Sequence, residues 1–205
     1  MFITFEGIDG SGKSTQLKLL ARELENAGHK VKVLREPGST PFSEKIREIL
    51  LSNRFDIAPL TELLLFEASR SHLVQNEILP ALKNNEIVIC DRFYDSTTAY
   101  QGYGRGLNLD DVRRMNAIAT GGLQPDITFF LDVSVFTSYF RTKDIASDRI
   151  EAAGDEFFNR VRSGFLKIAE QEPDRVIVIN SESKIEDTHR KIMSIIRKKF
   201  PHLIK

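Results

Sequence analysis

The chain has a single cysteine, Cys90, which excludes an internal disulfide and a cysteine-rich zinc site. Its four histidines, His29, His72, His189 and His202, are scattered, and no H-x-x-x-H pair points to a metal cluster. Neither sign of charge is in excess: 29 Lys plus Arg balance 29 Asp plus Glu. Sequence-independent nucleic-acid binding rests on many summed Lys/Arg contacts to phosphates, so no nucleic-acid partner is expected. No apolar run reaches the ~20 residues of a membrane span, and no membrane partner is expected either. No charged start followed by an apolar stretch reads as a signal peptide, so the expected location is cytoplasmic. With only 12 Gly and 7 Pro, collagen-like and low-complexity readings fail as well.

What is present is ordinary globular material: 205 residues, 41% hydrophobic and 28% charged. At ~150 residues per domain the length favours one domain over 1–205. Short apolar runs at 2–5, 31–34, 87–90, 127–131 and 176–179 predict strands. Helical spacing predicts helices over 14–27, 43–51, 60–84, 96–101, 109–120, 155–170 and 185–199, with Pro80 kinking or splitting the third. Strands this short and continuously apolar suit a parallel sheet buried on both faces by helices. The expected class is α/β, with five parallel strands flanked by helices.

Gly7-Ile8-Asp9-Gly10-Ser11-Gly12-Lys13-Ser14 fits G-x-x-x-x-G-K-[ST], follows a predicted strand and opens a predicted helix. Glycines let backbone N–H groups converge on phosphate oxygens, and the helix N-terminus adds partial positive charge. Gly7 to Thr15 is thus the expected ATP-binding segment. Lys13 would reach the β- and γ-phosphates, Ser14 would ligate Mg²⁺ and Thr15 could add a hydroxyl. No N-K-x-D guanine reader and no L-S-G-G-Q signature accompanies the loop, which leaves mostly a kinase of a small acceptor.

Asp91-Arg92 closes the third strand, at the edge where doubly wound sheets bind ligands. The carboxylate can act on the Mg²⁺ shell, and the arginine can bridge donor and acceptor phosphates. Phe66 and Arg70, at i and i+4, read either as the floor and arm of a base pocket or as a core aromatic and a snorkelling arginine. Tyr94 to Gly102 is rich in groups that read hydroxyls and amides; its plain alternative is a solvated capped helix. Arg141 to Glu151 has the composition of a basic lid over phosphates, or of a charged surface loop. Cys90 reads as an inert core thiol.

Together these segments resemble the thymidylate kinase family from end to end. The resemblance rests on F-E-G-I-D-G-S-G-K-S-T (5–15), R-E-P-G-S-T (35–40), E-K-I-R (44–47), L-L-L-F-E-A-S-R (63–70), D-R-F-Y-D-S-T-T-A-Y-Q-G (91–102), P-D-I-T-F-F-L-D-V (125–133) and D-R-I-E (148–151). It implies a P-loop NTPase fold and a homodimeric enzyme that phosphorylates dTMP with Mg-ATP. A kinase of another nucleoside monophosphate and an ATP-binding module without transfer are the alternatives. It further implies that Phe66 stacks on thymine, Arg70 bonds a thymine carbonyl, Thr97 and Gln101 line the base edge and Tyr100 lies under the deoxyribose. Arg47 and Arg92 would hold the dTMP phosphate, and Asp9 and Glu36 would organise the acceptor and its metal or water shell. Lys13, Arg92 and Asp9, with Arg141 and Arg149 (and Lys143 beside them) closing on the ATP phosphates, form the expected catalytic set. The chain departs from the family pattern at Ser39 (usually Gly), at Val135-Phe136 (usually Pro-Glu) and at Lys143 (commonly Arg). Gly10, in place of an arginine, fits members whose catalytic arginine lies in the lid.

Overall fold

The five apolar runs become five strands in the computed structural model, which describes residues 1–144 and 148–204. They are β1 (Phe2–Glu6), β2 (Val31–Arg35), β3 (Ile87–Asp91), β4 (Ile127–Asp132) and β5 (Val176–Asn180). All pair in parallel, in the order β2-β3-β1-β4-β5. The three central strands are almost wholly buried, as continuous apolar runs require. The edge strands expose Val33 and Val178.

The helices are α1 (Lys13–Asn26), α2 (Pro41–Leu51), α3 (Pro59–Leu73), α4 (Leu79–Lys83), α5 (Tyr94–Thr97), α6 (Leu109–Thr120), α7 (Val135–Thr142), α8 (Asp155–Gln171) and α9 (Ile185–Lys199). One core joins Leu17, Leu20 and Leu24 of α1 and Ile192 and Ile196 of α9 to Ile3, Phe5 and Phe129 of the sheet. A second lies under α8, where Phe165 stacks on Phe130 with ring centroids 4.9 Å apart. A third packs Leu73, Val74 and Ile78 against Phe2, Val88 and Cys90.

Three local outcomes differ from the sequence pattern. The expected helix over 60–84 is split as Pro80 requires. A π-helical turn, Val74–Ile78, widens the backbone ahead of Pro80, which sits in the first turn of α4. The expected helix at 96–101 starts earlier and runs longer. It begins with α5 and continues as a π-helical stretch over Thr98–Gly104. This stretch is buried, not solvated. Finally, α7 is a helix the sequence pattern did not announce, capped by Ser134 Oγ, which accepts the Thr137 N–H at 3.1 Å. The expected lid therefore opens in the last turn of α7; its residues 145–147 lie outside the described residues. Among the described residues no helix is long and apolar enough to cross a membrane.

Candidate active site

The register Phe5↔Asp91 brings the carboxyl ends of β1 and β3 side by side, and the chain leaves them in different directions. The glycine loop follows β1 and Arg92 follows β3. Gly7 has φ +136°, and a Cβ there would stand 2.5 Å from the Leu131 carbonyl oxygen, so only glycine fits. The Lys13 Nζ lies back across the loop and donates to the Gly7 and Ile8 carbonyls, at 3.0 Å each. Burial and Arg92 lower its affinity for its proton against the opposing pull of Asp9, which lies 3.8 Å away. Ser14 Oγ donates to Asp91 Oδ2 at 2.8 Å, so the two expected metal ligands do meet.

The loop faces a cavity of about 790 Å³. Gly12 to Thr15, Asp91, Arg92 and Arg141 line one part of it, and Ser181, Ser183 to Glu186 and Thr188 another. Arg141 reaches the loop from α7, donating to the Gly10 carbonyl at 3.0 Å and to the Ser181 carbonyl at 3.1 Å. In the same helix Ser138 Oγ donates to the Asp9 carbonyl at 2.6 Å. α7 is thus the back wall of the loop. Neither Ser138 nor the 181–188 wall was singled out in the sequence. The wall had a signal, a polar run just past the carboxyl end of a strand, whereas Ser138 had none.

Arg92 joins the two halves of the site. Its backbone is left-handed, at φ +69°. Its guanidinium donates to the Gly7 carbonyl and to Asp9 Oδ1, both at 2.8 Å, and lies 5.1 Å from the centroid of the Tyr100 ring. Burial works against ionisation of Asp9, but Arg92 and Lys13 outweigh it and hold the carboxyl below its usual range. Beneath this turn lies Glu6, another residue the sequence reading passed over. Its carboxylate accepts the Phe93 N–H at 2.7 Å and the Ser96 hydroxyl at 2.5 Å. Burial, with Asp95 nearby, pushes its pKa up to about 8.

A second cavity, of about 130 Å³, adjoins the first, and Asp9, Glu36, Arg47 and Arg92 line both. Phe66, Arg70, Thr97, Tyr100 and Gln101 line it too, together with Ile150 and Glu151. Arg70 is neither a snorkelling surface residue nor a free arm. It is 1% exposed and donates to Glu36 at 2.8 Å, Glu67 at 2.9 Å, Asn116 at 3.2 Å and Thr97 at 2.8 Å. The other oxygen of Glu36, Oε1, is buried without a partner, and burial lifts that carboxyl to about 7. Arg47 donates to the Pro37 carbonyl at 3.1 Å.

Two expected lid cations are not brought to the phosphate loop. Arg149 turns away to Glu62 and to the Leu50 carbonyl, where its side chain is largely buried. Lys143 lies over the Phe140 ring, 4.6 Å from its centroid. Of the expected lid cations, only Arg141 touches the loop.

A phosphate loop at the switch point of a parallel sheet, facing an adjoining pocket of aromatic rings and guanidinium groups, defines a P-loop nucleotide kinase. The model of the thymidylate kinase family matches residues 5–192. A thymidylate kinase of Chlorobaculum parvum is 50% identical over 207 residues, covering 96% of this chain and 95% of that protein. That of Kosmotoga olearia is 47% identical over 194 residues, covering 94% and 93%. A crystal structure of thymidylate kinase from Ehrlichia chaffeensis superposes with a TM-score of 0.78 at 39% identity, over 96% of this chain and 98% of that one. The chain belongs to the thymidylate kinase family.

Proposed function

We propose that the large cavity binds Mg-ATP, that the adjoining pocket binds dTMP, and that the γ-phosphoryl group passes between them to give dTDP and ADP. Membership of the family makes dTMP phosphorylation the reaction of this chain. The observation that carries the assignment of sites is Arg92. It reaches the loop carbonyl of Gly7 and the carboxylate of Asp9 while its flank covers Tyr100 in the second pocket.

The acceptor is a phosphate oxygen, anionic near neutral pH, so no strong base is needed. The obstacle is the approach of two anions in line, and positioning with charge neutralisation overcomes it. Lys13, Arg92 and Arg141 supply fixed positive charge around the gap; Arg47 faces it from α2. Phe66 offers an aromatic face to the base, while Arg70 and Thr97, hydrogen-bonded to each other, present a preset polar edge beside Gln101. Tyr100 fills the space under the sugar.

Ser14 and Asp91 fit Mg²⁺: both donate oxygen, and the ion commonly takes one or two protein ligands with phosphates and waters completing its shell. When bound it would neutralise charge on the donor phosphates. We extend the proposal to one catalytic unit over the chain, acting as a homodimer in the cytoplasm. The exposed apolar residues Phe42 and Ile49 of α2 and Leu60 and Leu64 of α3 support the dimer.

An assay of ADP release across acceptors tests the reading. dTMP is expected to be turned over fastest, and equal or faster turnover of AMP or CMP would refute it.

A further inference from the structure

Glu62 stands in the first turn of α3, 0% exposed. Its Oε1 accepts from Gln101 Nε2 at 2.8 Å and from Arg105 Nε at 3.1 Å. Its Oε2 accepts from the Arg105 guanidinium at 3.1 Å and from that of Arg149. Four donors fill the four lone-pair directions of an ionised carboxylate. Burial opposes the charge, but hydrogen bonds from Arg105, Gln101 and Arg149 outweigh it and keep the carboxyl below its usual range.

An ionised carboxylate only accepts. The Gln101 amide must therefore turn its NH2 group to Glu62, which puts the carbonyl on the opposite corner of the amide as the acceptor of this pocket-lining side chain. Thymine and uracil carry an N–H at N3, whereas cytosine carries a lone pair there. Two acceptors facing each other in a buried site repel and leave both unsatisfied.

We propose that Glu62 is a positioning residue for base selection: by fixing the Gln101 amide it makes that wall of the pocket an acceptor, which admits pyrimidines with an N3–H and rejects cytosine. The proposal rests on the second pocket being the dTMP site. The Arg105 and Arg149 bonds serve the same end, since they keep Glu62 charged and unable to rotate.

Glu62→Gln tests it. The new amide keeps the shape; with its carbonyl toward Arg149 and the Arg105 Nη2, its NH2 faces Gln101 and gives up the Arg105 Nε bond. Gln101 then has to flip, and its own NH2 faces the pocket. The ratio of kcat/KM for dTMP to that for dCMP is expected to fall roughly tenfold or more, mainly through a higher KM for dTMP at similar kcat. Both values come from one preparation, so any unfolded fraction cancels. Glu62→Ala, which frees the amide to rotate, is expected to lower the ratio too and serves if the first variant does not fold. In a Gln101→Ala background Glu62→Gln is expected to leave the ratio unmoved, because it acts through Gln101. An unchanged ratio in the single variants, or an equal fall in both backgrounds, overturns the proposal. Were the unsubstituted enzyme to turn over dCMP as well as dTMP, the pocket assignment itself would fall first.

Discussion

Arg92 holds a backbone conformation that residues with a side chain seldom take, and Glu6 is what secures it. The carboxyl group accepts the next N–H along the chain and the hydroxyl one helical turn on, so the arginine between strand and helix has little freedom to relax. Glu6 is also the group whose proton the fold grips. Asp95 faces it with like charge, Arg92 with opposite charge, and burial dominates. The folded pKa of about 8 exceeds the ordinary 4.5, so the folded state binds this proton more tightly than the unfolded chain does. The contribution is whole below about 4.5 and is lost as pH rises through about 8. Glu6→Gln imitates the neutral acid, and its thermal midpoint is expected to fall less than that of the parent between those limits. Parallel melting curves across that range would refute this. At this scale the sequence was readable where chemistry is carried by neighbours in the chain: Lys13 and Ser14 in one loop, Asp91 and Arg92 at one strand end. Glu62 was not readable, because Gln101, Arg105 and Arg149 stand about 40 to 90 residues away and only the fold collects them. Arg70 was half readable: its spacing from Phe66 placed it on the right helix face, but nothing local told of Glu36 and Asn116.

The element that presents the base edge, the π-helical stretch Thr98–Gly104, lies unusually close to α8. A Cβ on Gly104 would meet Phe157 at 2.7 Å, and one on Gly164 would meet Tyr103 at 2.7 Å. Two glycines from distant segments thus each make room for an aromatic side chain of the other segment. Gly164→Ala is expected to cost roughly 1–3 kcal/mol in denaturant unfolding, the usual range for overpacking. Because Gln101 rides on the displaced stretch, the KM for dTMP should rise more than kcat falls; an unaltered unfolding midpoint would show that Tyr103 moves aside freely. Strand existence and order of elements were legible because five apolar runs alternate with helical spacing. The widened turns were not, since an extra residue per turn leaves no mark on the hydrophobic pattern. Nor was α7: it is short, and Phe136, Tyr139 and Phe140 face outward, so its apolar residues do not mark a buried stripe.

Viewed whole, the molecule buries its sheet on both faces yet leaves an apolar strip on α2 and α3. Phe42, Ile49, Leu60 and Leu64 are each between 42% and 55% exposed. If a second copy covers this strip, as the homodimer reading holds, Leu64→Glu should shift the mass seen in sedimentation toward that of a single chain. α3 also carries Phe66, Glu62 and Arg70 on its inner side, so dTMP turnover is expected to drop in the same variant. A single-chain mass for the parent protein would dismiss the strip as an interface. Cys90 sits in a central strand, fully shielded, its thiol pushed well above the ordinary range by burial. With no other sulfhydryl in the chain, thiol-directed oxidants and alkylating reagents find no target while the sheet is closed. The same solitary sulfur becomes a sentinel: it reacts only in molecules whose innermost layer has parted, and its labelling counts those molecules one by one.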